Sequence, residues 1–199
     1  KNFLVVYDLG AAATVGQTVG VELTDTTFVT PSAGDTVSPT TFPLFSGTSD
    51  IDDLEDVLTV AGTSRTPSSV EQGTDGVVVG SLSFTVRAQD DEAVVTALQV
   101  NLTGSLISDT DIDRVRLYND ANSNGAVDAG EALLAENLFT AGTPPTLTLT
   151  LTATNRIVVT QAAGRNVLLV YDVADTATVG ATFGAALLTT SYVTVQAPE

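Results

Sequence analysis

The chain has 199 residues, 24 of them acidic against 7 basic, a formal net charge of −17, and no Cys, His, Met or Trp. That length can bury one substantial core with a smaller piece beside it, and the negative balance argues against nucleic acid or an anionic membrane surface as partner. Without imidazole or thiol there is no Ser-His-Asp or Cys-His catalytic arrangement, no disulfide, and no usual ligand set for catalytic zinc.

In chain order, period-two alternation dominates. Strands are predicted at residues 3–8, 17–24, 26–30 and 41–46, before an acidic junction at 50–56 whose IDDLEDVL sequence has room for one helical turn. Beyond it, strands are predicted at 57–61, at 81–87 with apolar even positions, and around Leu98, Val100 and Leu102. Further strands follow at 114–118, 133–140, along Leu147, Leu149 and Leu151, and at 156–161, 166–173, 183–189 and 191–196, each expected to keep one wet face. Strands at this spacing, separated by Gly, Pro, Asn and Asp, predict an all-β antiparallel sandwich of Greek-key, jelly-roll or Ig-like type. No apolar run is long enough to cross a bilayer, so no membrane insertion is expected.

The opening of the chain recurs near its end. Residues 1–31 and 165–195 align without a gap at an offset of 164 and agree at 15 of 31 positions, among them Tyr7/Tyr171, Asp8/Asp172, Gly16/Gly180 and Gly20/Gly184. Self-similarity on the scale of a whole domain marks a tandem array whose units need neighbours. Residues 1–49 therefore read as the closing strands of a preceding repeat or a donor-strand segment, 50–56 as a junction, and 57–199 as the next module. That module has no counterpart of the 40–47 segment, TTFPLFSG, and an incomplete sheet invites a donor strand. Phe3, Val5, Tyr7, Phe42 and Leu44 are the expected subunit-interface residues.

One local motif is specific. DANSNGAVDAGE, residues 120–131, matches the twelve-residue loop of the EF-hand type. Asp120, Asn122 and Asn124 stand at positions 1, 3 and 5, Gly125 at the sharp turn, Ala126 offers its carbonyl at 7, Asp128 stands at 9, and Glu131 at 12. Hard oxygen donors in that number select Ca2+ over magnesium. Val127 is expected to point inward. The strand-like flanks RVRLY and ALLAENLF predict a fixed structural ion, whereas the competing reading is an Asn/Gly-rich turn with no metal.

Two other acidic groups are candidates for further ions: Asp109, Asp111 and Asp113 just before the loop, and Asp50, Asp52 and Asp53 at the junction. A solvated acidic face explains either equally well. Asp8 and Asp172 recur in the two YD copies, which points to architecture, a hydrogen bond to the following turn being expected. The one sequon is Asn101-Leu102-Thr103.

Three stretches, SLSFTVRAQDDEAVVTALQVNLTG, VRLYNDANSNGAVDAGEALLA and NVLLVYDVADTATVGATFGAAL, together resemble the tandem β-sandwich repeats of secreted bacterial and archaeal surface and filament proteins, the second carrying a dockerin-like calcium loop. The resemblance implies an extracellular or cell-surface location, a structural role, and calcium as stiffener. An enzyme is not expected, since paired carboxylates in an apolar cleft and phosphate-binding glycine motifs are both missing. Two functions remain open: a filament or stalk subunit whose partner is itself, joined head to tail by strand complementation, or a calcium-dependent adhesin or carbohydrate-binding module that takes a surface glycan.

Overall fold

The computed structural model describes residues 4–10, 13–38, 41–52, 57–87, 92–105, 108, 110–140 and 145–196. It is all-β, with antiparallel sheets and, among the described residues, no α-helix. Accordingly no helix is long and apolar enough to cross a membrane. Phe3, Asp53 and Asp109 lie outside the described residues, as do residues 53–56 of the proposed helical turn at the junction.

The chain divides into two units, residues 1–54 and 55–199, and the division falls inside the acidic stretch 50–56. In the first unit, β1 (Thr18–Leu23) pairs antiparallel with β2 (Leu44–Asp50), with an irregularity in register between Gly20 and Glu22. The segment predicted as a strand at 26–30 is instead a short 3-10 turn at Thr26–Phe28. Its cause is local: the Asp25 carboxylate accepts from the Thr27 N–H at 2.7 Å and caps the turn. The strand predicted at 3–8 does not form over its described residues.

The second unit holds the core. β3 (Leu58–Ser64), β4 (Val77–Val86), β6 (Ile112–Asn119), β7 (Leu133–Asn137) and β10 (Arg165–Val173) make one sheet in the order β3-β4-β10-β6-β7. A second sheet is organised on the 14-residue β5 (Glu92–Ser105). β8 (Thr146–Thr150) and β9 (Ile157–Thr160) pair with it, as do β11 (Thr182–Ala186) and β12 (Val193–Val195). Asn101 is opposite both Thr146 of β8 and Ala186 of β11, and Val95 is opposite both Ile157 of β9 and Val195 of β12. A residue can pair once on each side, so β8 and β9 run along one edge of β5, and β11 and β12 along the other.

Alternate residues of both sheets meet in one apolar cluster. Leu82 and Phe84 of β4, Leu98 and Val100 of β5, Leu147 and Leu149 of β8, and Val167, Leu169 and Tyr171 of β10 all contribute to it. β10 departs from the expected single wet face: Leu168 and Val170, on the other side of the strand, are also fully buried. Their directly opposed neighbours on β6 are Tyr118 and Arg116, both half-buried. β10 is thus the central strand, and Tyr171 ties the two sheets together. Its ring meets Phe139 edge to face at 5.6 Å, and its hydroxyl donates to the Gly184 carbonyl of β11 at 3.2 Å.

Candidate functional site

The loop at 120–131 joins β6 to β7 as an extended hairpin connection. Five of its backbone N–H groups, those of Ala121, Asn124, Gly125, Ala126 and Asp128, donate to its own side-chain oxygens. The two oxygens of Asp120 accept from the N–H of Asn124 and of Gly125, both at 3.1 Å. Asn122 Oδ1 accepts from the Asn124 N–H at 3.1 Å, and Asn124 Oδ1 from the Ala126 N–H at 2.8 Å. Glu131 closes the ring, Oε1 accepting from the Ala121 N–H and Oε2 from the Asp128 N–H, each at 3.1 Å. The amide nitrogens of Asn122 and Asn124 both donate to Asp128 Oδ2 at 2.7 Å.

Positions 1, 3, 5, 9 and 12 of the motif are therefore drawn into one hydrogen-bonded ring by the chain's own polar groups. Gly125 has φ of 78°, the left-handed region that favours glycine, and the tip of the Arg65 side chain lies against it. Ser123 is the one non-glycine residue with positive φ among those described, at 60°, and its hydroxyl accepts from the Asn166 side-chain amide at 2.7 Å. The Asp120 N–H donates to the Asn166 carbonyl at 2.9 Å, which fixes the loop to the start of β10. Val127, expected inside, is 38% exposed.

Among the described residues, no three His, Cys, Asp or Glu side chains form a metal-holding group. The oxygens of the loop come from two aspartates, one glutamate, two asparagine amides and the main chain. Elsewhere, Asp111 is buried, and both its oxygens are taken. Oδ1 accepts from the N–H and hydroxyl of Thr178 at 2.6 and 2.9 Å, and Oδ2 from the N–H and hydroxyl of Ser108 at the same two distances. Burial acts to raise its pKa, but the four donors together outweigh it and hold the carboxyl below its ordinary value. Hydrogen bonding accounts for Asp111 without an ion. Asp113 is exposed on β6, and Asp50 and Asp52 are exposed at the end of the first unit.

Asp172 does hold architecture together, although not through the following turn. It accepts from the Gly76 N–H at 2.9 Å and pairs with Arg116, itself 3.9 Å from Glu136. Asn101 of the sequon is buried within β5, so its side chain is closed to a glycosylating enzyme in the folded chain.

The repeat gives the other candidate site. Hydrogen bonds of the first copy recur 164 residues later: Ala13 N–H to Gly10 and Ala177 to Ala174, Gln17 to Thr14 and Ala181 to Thr178, Phe28 to Asp25 and Tyr192 to Thr189. The 3-10 turn at Thr26–Phe28 has its counterpart at Thr190–Tyr192. The turns are the same in both copies, but burial is not. Leu4 is 87% exposed and Tyr7 44%, while their counterparts Leu168 and Tyr171 are completely buried. Val5 is likewise exposed, Leu44 is exposed, and Phe42 is half-buried. No protein-family model matches the sequence, and a search of curated proteins also finds no match.

Proposed function

We propose that the protein is a structural subunit of an extracellular filament or surface stalk, made of β-sandwich modules joined head to tail by strand complementation and stiffened by calcium. The observation that carries this reading is the solvent exposure of residues 4–9, which match residues 168–173 of β10, the most deeply buried strand of the second unit, at four of six positions. β10 has β4 on one side and β6 on the other. A segment so close in sequence carries the apolar residues to pair with strands of that kind, and an adjoining module is the source of neighbours that a tandem repeat provides. Fully burying a Leu, Val or Tyr-sized apolar side chain stabilises by about 1.5–3 kcal/mol, so covering Leu4, Val5, Val6 and Tyr7 together is a large driving force.

The sandwich assignment rests on the single core to which both five-stranded sheets contribute. Calcium is supported by the chemistry of the 120–131 loop. Asp120, Asn122, Asn124, the Ala126 carbonyl, Asp128 and Glu131 would hold the ion, which supplies positive charge to a loop carrying three carboxylates and none of the opposite sign. The chain's own part is to orient those oxygens through its backbone N–H groups before the ion arrives, which lowers the ordering cost of binding.

The test is assembly. Purified chain at increasing concentration, followed by light scattering and electron microscopy in calcium and in EGTA, should give filaments that depend on residues 1–9. A chain that stays monomeric at high concentration with calcium present overturns the reading.

A further inference from the structure

We propose that Asn124-Gly125 is a self-modification site, guarded while the 120–131 loop keeps its hydrogen bonds and reactive once the loop opens, when Asn124 converts to aspartate or isoaspartate.

The pair is suited to this by its chemistry. It is the one Asn-Gly sequence in the chain. Asparagine is thermally labile because its carboxamide carbon is open to attack by the main-chain nitrogen of the next residue. Glycine in that next place has no Cβ to block the approach, and its backbone freedom allows the ring to close. The step balances within the chain and water. The Gly125 nitrogen gives up its proton and bonds to Asn124 Cγ, the Cγ–Nδ2 bond breaks, and Nδ2 leaves as ammonia with that proton. Water then opens the cyclic imide at either carbonyl. Cleavage at Cγ gives aspartate, and cleavage at the main-chain carbonyl gives isoaspartate, in which the chain runs through the side-chain carbon. Asn124 is exposed, so water reaches it. Asn122-Ser123, in the same loop, is a built-in comparison, since the Ser123 Cβ crowds the attacking nitrogen.

In the closed loop each reacting group is engaged. The Gly125 N–H donates to Asp120 Oδ2 at 3.1 Å, and an anionic acceptor holds the proton on the nitrogen. The carboxamide is held at both ends, Oδ1 accepting from the Ala126 N–H at 2.8 Å and Nδ2 donating to Asp128 Oδ2 at 2.7 Å. Turning its carbon toward the Gly125 nitrogen breaks these bonds. Asp120, the centre of the guard, is 4% exposed, and its own N–H donates to the Asn166 carbonyl at the start of β10. The guard is therefore tied to the folded core, and it is lost when the hairpin opens. The product does not restore it. Aspartate at 124 has no N–H for Asp128 Oδ2 and sets a second carboxylate against it, and isoaspartate lengthens the main chain between Asn124 and Gly125. An opening that reacts is thus recorded permanently in the loop.

The test uses the full chain, in EGTA throughout so that the guard measured is the loop's own hydrogen bonding. Protein is held at mildly alkaline pH in native buffer and in guanidinium chloride, and tandem mass spectrometry follows the gain of about 1 Da at each asparagine. Residue 124 should gain it in guanidinium, ahead of Asn122, and at least about tenfold more slowly in the native chain. Asn124→Gln should abolish the gain at that position. Asp120→Ala should speed the native reaction by about fivefold or more while β10 amides stay protected. Where Asp120→Ala disturbs β10, Asp120→Asn, which keeps the shape and loses the charge, takes its place. No gain at 124 in guanidinium, equal rates in the two conditions, or an Asp120 variant no faster than wild type with β10 intact overturns the proposal.

Discussion

Asp111 separates two accounts of the acidic residues before the loop. As a hydrogen-bonded staple it joins Ser108 to Thr178, 67 residues away, through four bonds of 2.6–2.9 Å at a site only 4% exposed. Asp111→Ala leaves two main-chain N–H groups and two hydroxyls without their acceptor. The hydroxyls can rotate toward other partners, but each stranded N–H costs about 1–3 kcal/mol, so a loss of roughly 2–6 kcal/mol is expected. With a slope of about 2 kcal/mol/M in urea, the midpoint should fall by about 1–3 M. Asp111→Asn retains one acceptor oxygen and should lose about half as much. The pH dependence has a defined sign. The folded-state pKa lies below the unfolded value of about 3.9, so the stabilisation is fully present above that value and is lost as pH falls through the folded pKa. The wild type should therefore weaken in that acid range more steeply than Asp111→Asn. Urea titrations of both variants in calcium and in EGTA decide the matter. An unchanged midpoint for Asp111→Ala, or a loss that disappears in EGTA, would refute the staple and return Asp111 to the metal candidates.

Chelation should act first on the β6–β7 hairpin: EGTA should speed amide exchange at Asn124, Gly125 and Ala126 more than in β10, and calorimetry should find a lower Tm for the second unit. Gly125→Ala should cost about 1–3 kcal/mol, because it places a side chain at a left-handed φ, and calcium affinity measured by isothermal titration should fall with it. Tyr171→Phe removes only the 3.2 Å bond to the Gly184 carbonyl and leaves both ring contacts in place. It should lower stability in urea by about 1–2 kcal/mol.

Much of this was legible in the sequence because period-two alternation reports a half-buried strand directly. Leu98, Val100 and Leu102, and Leu147 and Leu149, are core residues of β5 and β8. The same rule could not reveal that Leu168 and Val170 are buried as well, since that depends on which side chains of β6 stand opposite them. The 120–131 spacing identified its own ring of polar contacts, but the exposure of Val127 depends on what flanks the loop. Asp111 was visible as an acidic residue, and its partner Thr178 was not, because 67 residues of chain lie between them. Asp172 was marked by recurrence, yet Gly76 and Arg116 are reached only through tertiary structure. The turn at Thr26–Phe28 was missed although its signal was local: Asp25 followed by two threonines is a side-chain cap, and the apolar Phe28 and Val29 obscured it.

The two repeat copies isolate what neighbours contribute. Turn bonds recur at the offset of 164, so local sequence fixes them, whereas residues 4–8 form no strand although their counterparts do. The difference between the copies is the presence of β4 and β6. If that is the whole cause, the first copy must be competent as a central strand when given those neighbours. Residues 2–9 differ from 166–173 at three positions, so Val167→Phe, Leu169→Val and Val173→Leu together place the first copy's strand into the folded module. Val167 and Leu169 are buried in the core, where a larger ring strains packing by about 1–3 kcal/mol and a lost methylene costs about 1 kcal/mol. The added methylene at 173 recovers part of this. The triple variant should therefore unfold in a single cooperative transition, a few kcal/mol less stable than the wild type. Loss of that transition, with residues 166–173 as open to hydrogen exchange as residues 4–9, would mean that the opening segment has drifted from its repeat and cannot complete any sheet of this kind.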